Sequence, residues 1–222
     1  MAARHLDQFN RRHPWSHNDH FHGWIVRQLP ANRERALDVG CGRGELAAEL
    51  ASHFSRVVGV DQDAGMVVIA NERCAALPGV TVRNISFVEV TGTYDLLTMV
   101  AVLHHLELGT ALQHASELLA DGGRLLIVGL ARSATAADLM WDLVSSILNP
   151  LVGLAKHPRA VSPGGSGAPF PLADPELTFD EIKGQAASLL PGMRMRHRLF
   201  FRYTLEWTKP RSGFARVSPS SE

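Results

Sequence analysis

Along this chain, short runs of β-branched and aliphatic residues alternate with segments whose apolar positions recur at helical spacing. "RALDV" (35–39), "RVVGV" (56–60), "VTVRNI" (80–85), "YDLLTMV" (94–100) and "GRLLIVGL" (123–130) read as strands. Their nearly unbroken hydrophobicity suits strands covered on both faces, as in a parallel sheet. "GELAAELASHF" (44–54), "AGMVVIANERCAAL" (64–77) and "GTALQHASELLA" (109–120) between them have the pattern of amphipathic helices. Regular strand–helix alternation predicts a doubly wound α/β sheet. "DGG" at 121–123 is predicted to end a helix and open the fifth strand.

Three further segments complete the plan. "FHGWIVRQLP" reads as an amphipathic helix stopping at Pro30, within an N-terminal extension over 1–34. "TFDEIKGQAASLL" reads as a helix with Thr178 and Glu181 as a capping box. "MRMRHRLFFRYTLEWTKP" reads as a terminal β-hairpin. Residues 149–177 are dense in proline and glycine, which marks a functional loop or a disordered one. The expected organisation is a helical cap over 1–34, a domain over 35–210 with an insertion at 131–177 acting as a lid, and a disordered tail at 211–222. The lid and the cap, through Trp15, Phe21, Trp24, Leu151, Leu154 and Phe170, are expected to close together over a pocket.

Composition narrows the partners. The 222 residues are 45% hydrophobic and 20% charged, with zero formal net charge. That suits one globular domain and provides no overall electrostatic footprint for nucleic acid or an acidic membrane. Two cysteines, Cys41 and Cys74, make no disulfide framework, and a reducing compartment is expected. No signal-peptide core and no membrane-length apolar run is visible, so the expected location is cytoplasmic.

The chemistry concentrates in "LDVGCGRGEL" (37–46), where Gly40, Gly42 and Gly44 follow a strand and lead into a helix. Such a unit exposes backbone N–H groups and the positive end of a helix dipole to a ligand. Dinucleotide sites space their glycines as G-x-G-x-x-G. Here the third glycine comes one position early, and Asp38 and Glu45 would set negative charge beside a pyrophosphate. A cofactor that carries a cation and no phosphate reverses the sign of that argument. S-adenosylmethionine, with its sulfonium and amino acid end, meets it, and Asp38 can then face the cationic side. Asp61, ending the second strand, is placed to accept from both ribose hydroxyls or to cap the helix that follows.

"ALDVGCGRGELA", "VVGVDQDAGMVVIA", "YDLLTMVAVLHHL" and "LLADGGRLLIVGL" together resemble the ordered motifs of class I S-adenosylmethionine-dependent methyltransferases, in particular the small-molecule branch of type 11/12. The resemblance implies a Rossmann-like, seven-stranded, mostly parallel sheet with the last strand antiparallel and helices on both faces. It places Gly40, Cys41 and Gly42 at the methionine end of the cofactor, with Gly44 completing the loop, and Asp61 on the ribose. Gln62 and Met66 fall against the adenine, although Met66 equally suits core packing, and Val100 falls beside the cofactor. Where the family commonly has an acid for the adenine amino group, this chain has "NISF" (84–87), so Ser86 or the backbone at Ile85 takes that place.

His104 and His105 follow the fourth strand on the implied acceptor side, where one of them can act as a base. His5, His13, His17, His20 and His22 cluster in the N-terminal extension without a metal-site template, and no metal is expected. The alternating arginines of "MRMRHRLFFR" suit a solvated strand face. The function expected is methyl transfer from S-adenosylmethionine to an O, N or C atom of a small-molecule acceptor, leaving S-adenosylhomocysteine. The partners expected are that acceptor, no nucleic acid and no membrane, with the chain a monomer or homodimer. The alternative is a protein of the same fold that binds S-adenosylmethionine or S-adenosylhomocysteine without methylating. A nicotinamide-dependent oxidoreductase ranks third, against Asp38 and the glycine spacing.

Overall fold

The computed structural model describes residues 21–132, 175–198 and 202–212. Seven strands form one sheet: β1 (Arg35–Val39), β2 (Arg56–Asp61), β3 (Val80–Asn84), β4 (Tyr94–Val100), β5 (Leu119–Gly129), β6 (Arg194–Arg198) and β7 (Arg202–Thr208). Their order is β3-β2-β1-β4-β5-β7-β6. β1 to β5 pair in parallel, and β7 runs antiparallel to both β5 and β6. The doubly wound sheet and the terminal hairpin are therefore as expected.

Helices α1 (His22–Val26), α2 (Glu45–Leu50), α3 (Ala64–Cys74), α4 (Leu108–Leu118) and α5 (Phe179–Leu189) cover the two faces. One face packs Ile25 of α1 and Leu46, Ala47 and Leu50 of α2 on Ala36, Leu96 and Leu126. The other packs Leu112 and Ala115 of α4 and Ile182 and Ala186 of α5 on Leu37, Leu97, Met99 and Ile127. Alternate residues of β1 and β4 thus serve opposite cores, which is why those strands lack polar alternation in the sequence. α5 starts at the predicted capping box: the Thr178 hydroxyl accepts from the Glu181 N–H, and the Glu181 carboxylate accepts from the Thr178 N–H.

One boundary differs from the sequence reading. α4 ends at Leu118 and β5 begins at Leu119, so "DGG" lies inside the strand. Leu119 pairs with Tyr94, and regular pairing resumes at Leu96 with Arg124, leaving a bulge between. A Cβ on Gly123 would lie 2.8 Å from the Ala120 carbonyl oxygen, and Gly122 has φ +78°. These glycines absorb the extra residues of a bulge rather than cap a helix. The helix end is served from elsewhere, by the Lys209 ammonium donating to the Ser116 and Leu119 carbonyls at 2.8 Å each.

β7 closes against β5 through another tight fit. Gly129 pairs with Tyr203, and a Cβ on Gly129 would stand 2.2 Å from the Tyr203 ring. Gly129→Ala is expected to destabilise the fold by about 1–3 kcal/mol, the usual cost of overpacking a core. Urea unfolding of the two proteins measures it, and equal midpoints would show that the ring moves freely.

Candidate active site

The loop after β1 is folded by its own sequence. Gly40, Gly42 and Gly44 all have positive φ, between +53° and +77°. The N–H groups of Gly40 and Cys41 both donate to the Val60 carbonyl, and Gly44 N–H donates to the Cys41 carbonyl. A Cβ on Gly40 would meet Val102 at 2.2 Å, so this glycine lets the segment after β4 approach β1. Gly44 does the same for α3, with a Cβ there 3.0 Å from that of Ala70. Gly42 differs: nothing lies within 4 Å of where its Cβ would be. Of the three, only Gly42 opens its side-chain direction to free space, which is what a ligand passing close to the backbone requires.

Asp61 holds that loop. One carboxylate oxygen accepts from the Gly42 N–H at 2.8 Å and the other from the Asp63 N–H at 2.9 Å. Each oxygen keeps a further lone pair for a hydroxyl. The helix is capped by Asp63 instead, whose side chain accepts from the N–H groups of Gly65 and Met66.

Asp38 is the least expected group energetically. Its side chain is 2% exposed and deep in the sheet. Oδ1 accepts from the Thr98 hydroxyl at 2.8 Å, while Oδ2, also buried, has no hydrogen-bond partner among the described residues. Burial pushes its pKa up to about 7, against the Thr98 hydrogen bond, with the charges of Asp61 and Glu45 adding to the rise. Glu45 itself is paired with Arg73 at 2.7 Å, a partner from α3 that spacing along the chain does not reveal.

Of the residues that the sequence reading set against the adenine, two meet: the Gln62 side-chain amide donates to the Ser86 hydroxyl at 3.1 Å, while Met66 and Ile85 are each half-buried. Ser86 precedes a short turn over Phe87–Glu89, its N–H donating to the Glu89 carboxylate. Asn84, which the sequence did not single out, donates to the Asp61 carbonyl and ties β3 to the site. Cys41 departs from expectation: its thiol packs with Val67, Ala70 and Val82 in the space left by Gly59, so only its backbone is available to line a pocket. Burial raises its pKa well above the ordinary range, an inert thiol.

Across the ends of β4 and β5 lies an apolar cleft. Val100 is half-buried at the end of β4, and Ala101 after it has φ +57°, the one non-glycine residue with positive φ among those described. Such backbone, held here by the Ala101 N–H to Val128 carbonyl bond at 2.7 Å, concentrates at functional sites. The turn Leu103–His105 follows. His104 lines a cavity of about 80 Å³ with Leu103, Leu106, Leu130, Ile182 and Tyr203. His105 is exposed, its ring 4.0 Å from that of His104. Burial, then the charges of His105 and Arg202, push His104 down to about 4, and its buried Nδ1 has no partner among the described residues. Ala101 and Asn84 carry no signal in a lone sequence, because neither residue type announces its role.

The remaining expectations concern residues outside those described: His5, His13, His17 and His20, Trp15, the segment 133–174 and the tail beyond 212. Among the described residues no group of His, Cys, Asp and Glu is placed to hold a metal, and no helix is long and apolar enough to cross a membrane.

This arrangement has relatives. A family profile described as a methyltransferase domain matches residues 37–125. An uncharacterized methyltransferase of Mycobacterium tuberculosis is 32% identical over 200 residues, covering 89% of this chain and 98% of that one. Among solved structures, magnesium protoporphyrin IX methyltransferase from Synechocystis, with bound S-adenosylhomocysteine, superposes with TM-score 0.56 at 21% identity, over 86% of this chain and 81% of that one. N-methyltransferase NodS from Bradyrhizobium japonicum also gives 0.56, at 16% identity, over 86% and 96% of the two chains. The structures share the fold, and the identity across nearly the whole length of the mycobacterial protein carries the assignment further: this chain belongs to the class I S-adenosylmethionine-dependent methyltransferases.

Proposed function

We propose that the enzyme methylates a small molecule seated in the apolar cleft around His104, with the cofactor held along the carboxyl ends of β1 to β4. The observation that carries this reading is the buried, half-satisfied carboxylate of Asp38, two residues before the glycine loop in which Gly42 faces free space. Among the described residues, Asp38 Oδ2 accepts no hydrogen bond. A cationic ligand end would satisfy it, and no phosphate would.

S-adenosylmethionine supplies a methyl group already activated on a sulfonium. The chain then has three tasks. Asp38 draws the cationic end of the cofactor toward β1, and the backbone of Gly40, Cys41 and Gly42 lies alongside it. Gly44 shapes the loop through its packing on α3. Asp61 uses its remaining lone pairs for the ribose hydroxyls while keeping the Gly42 N–H in place. Gln62, Ser86, Met66 and the Ile85 backbone border the adenine, and Val100 closes the inner wall. On the acceptor side, the leucines, Ile182 and Tyr203 exclude water and align the nucleophile for in-line displacement. His104 touches the acceptor as a neutral hydrogen-bonding group, and His105 packs against its ring. The expected cover from 1–34 and 131–177 belongs to the same reading.

Transfer of a labelled methyl group to small molecules of differing nucleophile tests the proposal directly. Cofactor binding with no transfer to any small molecule would favour a pure binding module. Asp61→Ala should weaken S-adenosylmethionine by about 1.5–3 kcal/mol, the range for hydrogen bonds to a charged group. Unchanged affinity by calorimetry in a folded variant would remove Asp61 from the ribose site.

Asp38 yields a pH prediction with a definite sign. Its folded-state pKa is raised from 3.8 to about 7, so the native state holds this proton more tightly than the unfolded chain. The ligand-free protein therefore loses stability as pH rises from about 4 through 7, on the order of 4 kcal/mol from this group. Asp38→Asn should raise the melting temperature of the ligand-free protein at pH 8 and weaken S-adenosylmethionine binding. The native protein should also release a proton on binding near pH 7, visible as a buffer-dependent binding enthalpy. If Asp38→Asn binds as tightly as the parent, the carboxylate serves the strand rather than the ligand.

A further inference from the structure

The amino acid end of the cofactor carries an anion as well as a cation, and its carboxylate needs a partner of its own. Four of the five N–H groups of residues 40–44 are already engaged within the protein. Those of Gly40 and Cys41 donate to the Val60 carbonyl, that of Gly42 to the Asp61 carboxylate and that of Gly44 to the Cys41 carbonyl. The N–H of Arg43 is the one left over. The helix that follows is a poor substitute: α2 runs for six residues, with the acid Glu45 in its first turn. A negative side chain there already complements the helix dipole and repels an incoming anion. Asp38 and Asp61 stand at the same end of β1 and β2, so a carboxylate brought among them without a cation is repelled as well.

Arg43 supplies the cation. It stands in the loop between Gly42, whose side-chain direction opens to free space, and Gly44, which packs on α3. Its side chain is half-buried, and its buried Nε has no hydrogen-bond partner among the described residues. The neighbouring acids are committed elsewhere. Glu45 pairs with Arg73 at 2.7 Å, and the two oxygens of Asp61 accept from the Gly42 and Asp63 N–H groups. Arg73 is committed too, its Nε donating to the Arg43 carbonyl at 2.8 Å. A buried donor without an acceptor is costly, and such groups are rare in folded proteins unless a ligand or water meets them. Arg43 thus mirrors Asp38: the β1–loop–α2 unit holds one orphaned donor and one orphaned acceptor, of opposite charge.

We propose that Arg43 binds the carboxylate at the amino acid end of the cofactor, while Asp38 meets the ammonium. The assignment rests on the cofactor placement proposed above and adds the residue that holds the methionine end by its anionic side. The planar fork of a guanidinium can take both oxygens of a carboxylate. Holding the two charges of one zwitterion with two separate groups fixes the direction of the methionine chain. It thereby fixes the direction in which the sulfonium presents its methyl group to the acceptor. The pair also discriminates, because a ligand with only one of the two charges leaves the other protein group without a partner.

Calorimetry with three ligands tests it: S-adenosylhomocysteine, its decarboxylated form, which keeps the ammonium, and methylthioadenosine, which lacks the amino acid end. The parent protein should bind S-adenosylhomocysteine about tenfold or more tightly than the decarboxylated form, the contribution of a charge-assisted hydrogen bond. Arg43→Gln should erase most of that difference and leave the affinities for the other two ligands nearly unchanged. Arg43→Lys keeps the charge without the fork, so it should restore part of the difference, and it provides the comparison if Arg43→Gln does not fold. The melting temperature of ligand-free Arg43→Gln should not fall, since no partner is lost. Equal weakening of all three ligands would show that Arg43 shapes the loop instead of holding a carboxylate, and overturns the inference. A difference that persists in Arg43→Gln overturns it too, and leaves the cofactor placement standing. A parent protein that binds S-adenosylhomocysteine no better than methylthioadenosine overturns both.

Discussion

Asp38 is a carboxylate in a place where carboxylates are costly, and much of the surrounding architecture is arranged around that cost. It stands in β1 between β2 and β4, too deep for water, with Thr98 of β4 meeting only one of its oxygens. In a protein selected for stability alone, an apolar residue would serve better there. In the proposed function that burden is lifted when the cationic end of the cofactor reaches the buried oxygen without a partner among the described residues. On that reading the same group destabilises the empty protein and strengthens its hold on a cationic ligand. The strand order thus sets a buried acid near the end of a central strand, just before a loop whose Gly42 faces free space.

The sheet brings the two halves of the proposed site to one edge. The half proposed for the cofactor is built by β1, β2 and β3 and the backbone that joins them, with Asp61 bonded to Gly42 and Asn84 bonded to Asp61. The half proposed for the acceptor is built by the segment after β4 and by β7, which returns antiparallel so that its beginning, not its end, reaches the same edge. Val102 packs against Gly40 and so couples the two halves. Positive φ at Ala101 fits that geometry, since the chain must turn sharply from β4 to place Val102 against the glycine loop and His104 in the cleft.

Most of this plan was legible in the residues. The alternation of apolar runs and amphipathic segments marked the strands and helices, and the glycine loop with its two acids marked the cofactor. Three kinds of feature were not legible. The start of β5 was hidden because glycines signal a helix end and a bulge equally well, and only pairing with β4 decides between them. Partners distant in sequence, such as Arg73 for Glu45 and Lys209 for the end of α4, leave no local trace. The side chain of Cys41 turned away from the loop because Gly59 on the adjacent strand leaves room for it, a relation visible only when β1 and β2 are paired. His104 and His105 were adjacent candidates in sequence, and the fold sorts them by burial.

A zero formal net charge conceals an uneven distribution of charge along the carboxyl ends of the strands. Asp38 and Asp61 lie on β1 and β2, whereas Arg198 and Arg202 lie on β6 and β7, at the other side of the strand order. The charges a ligand meets therefore depend on which strands it lies over, a relation that neither composition nor net charge can disclose.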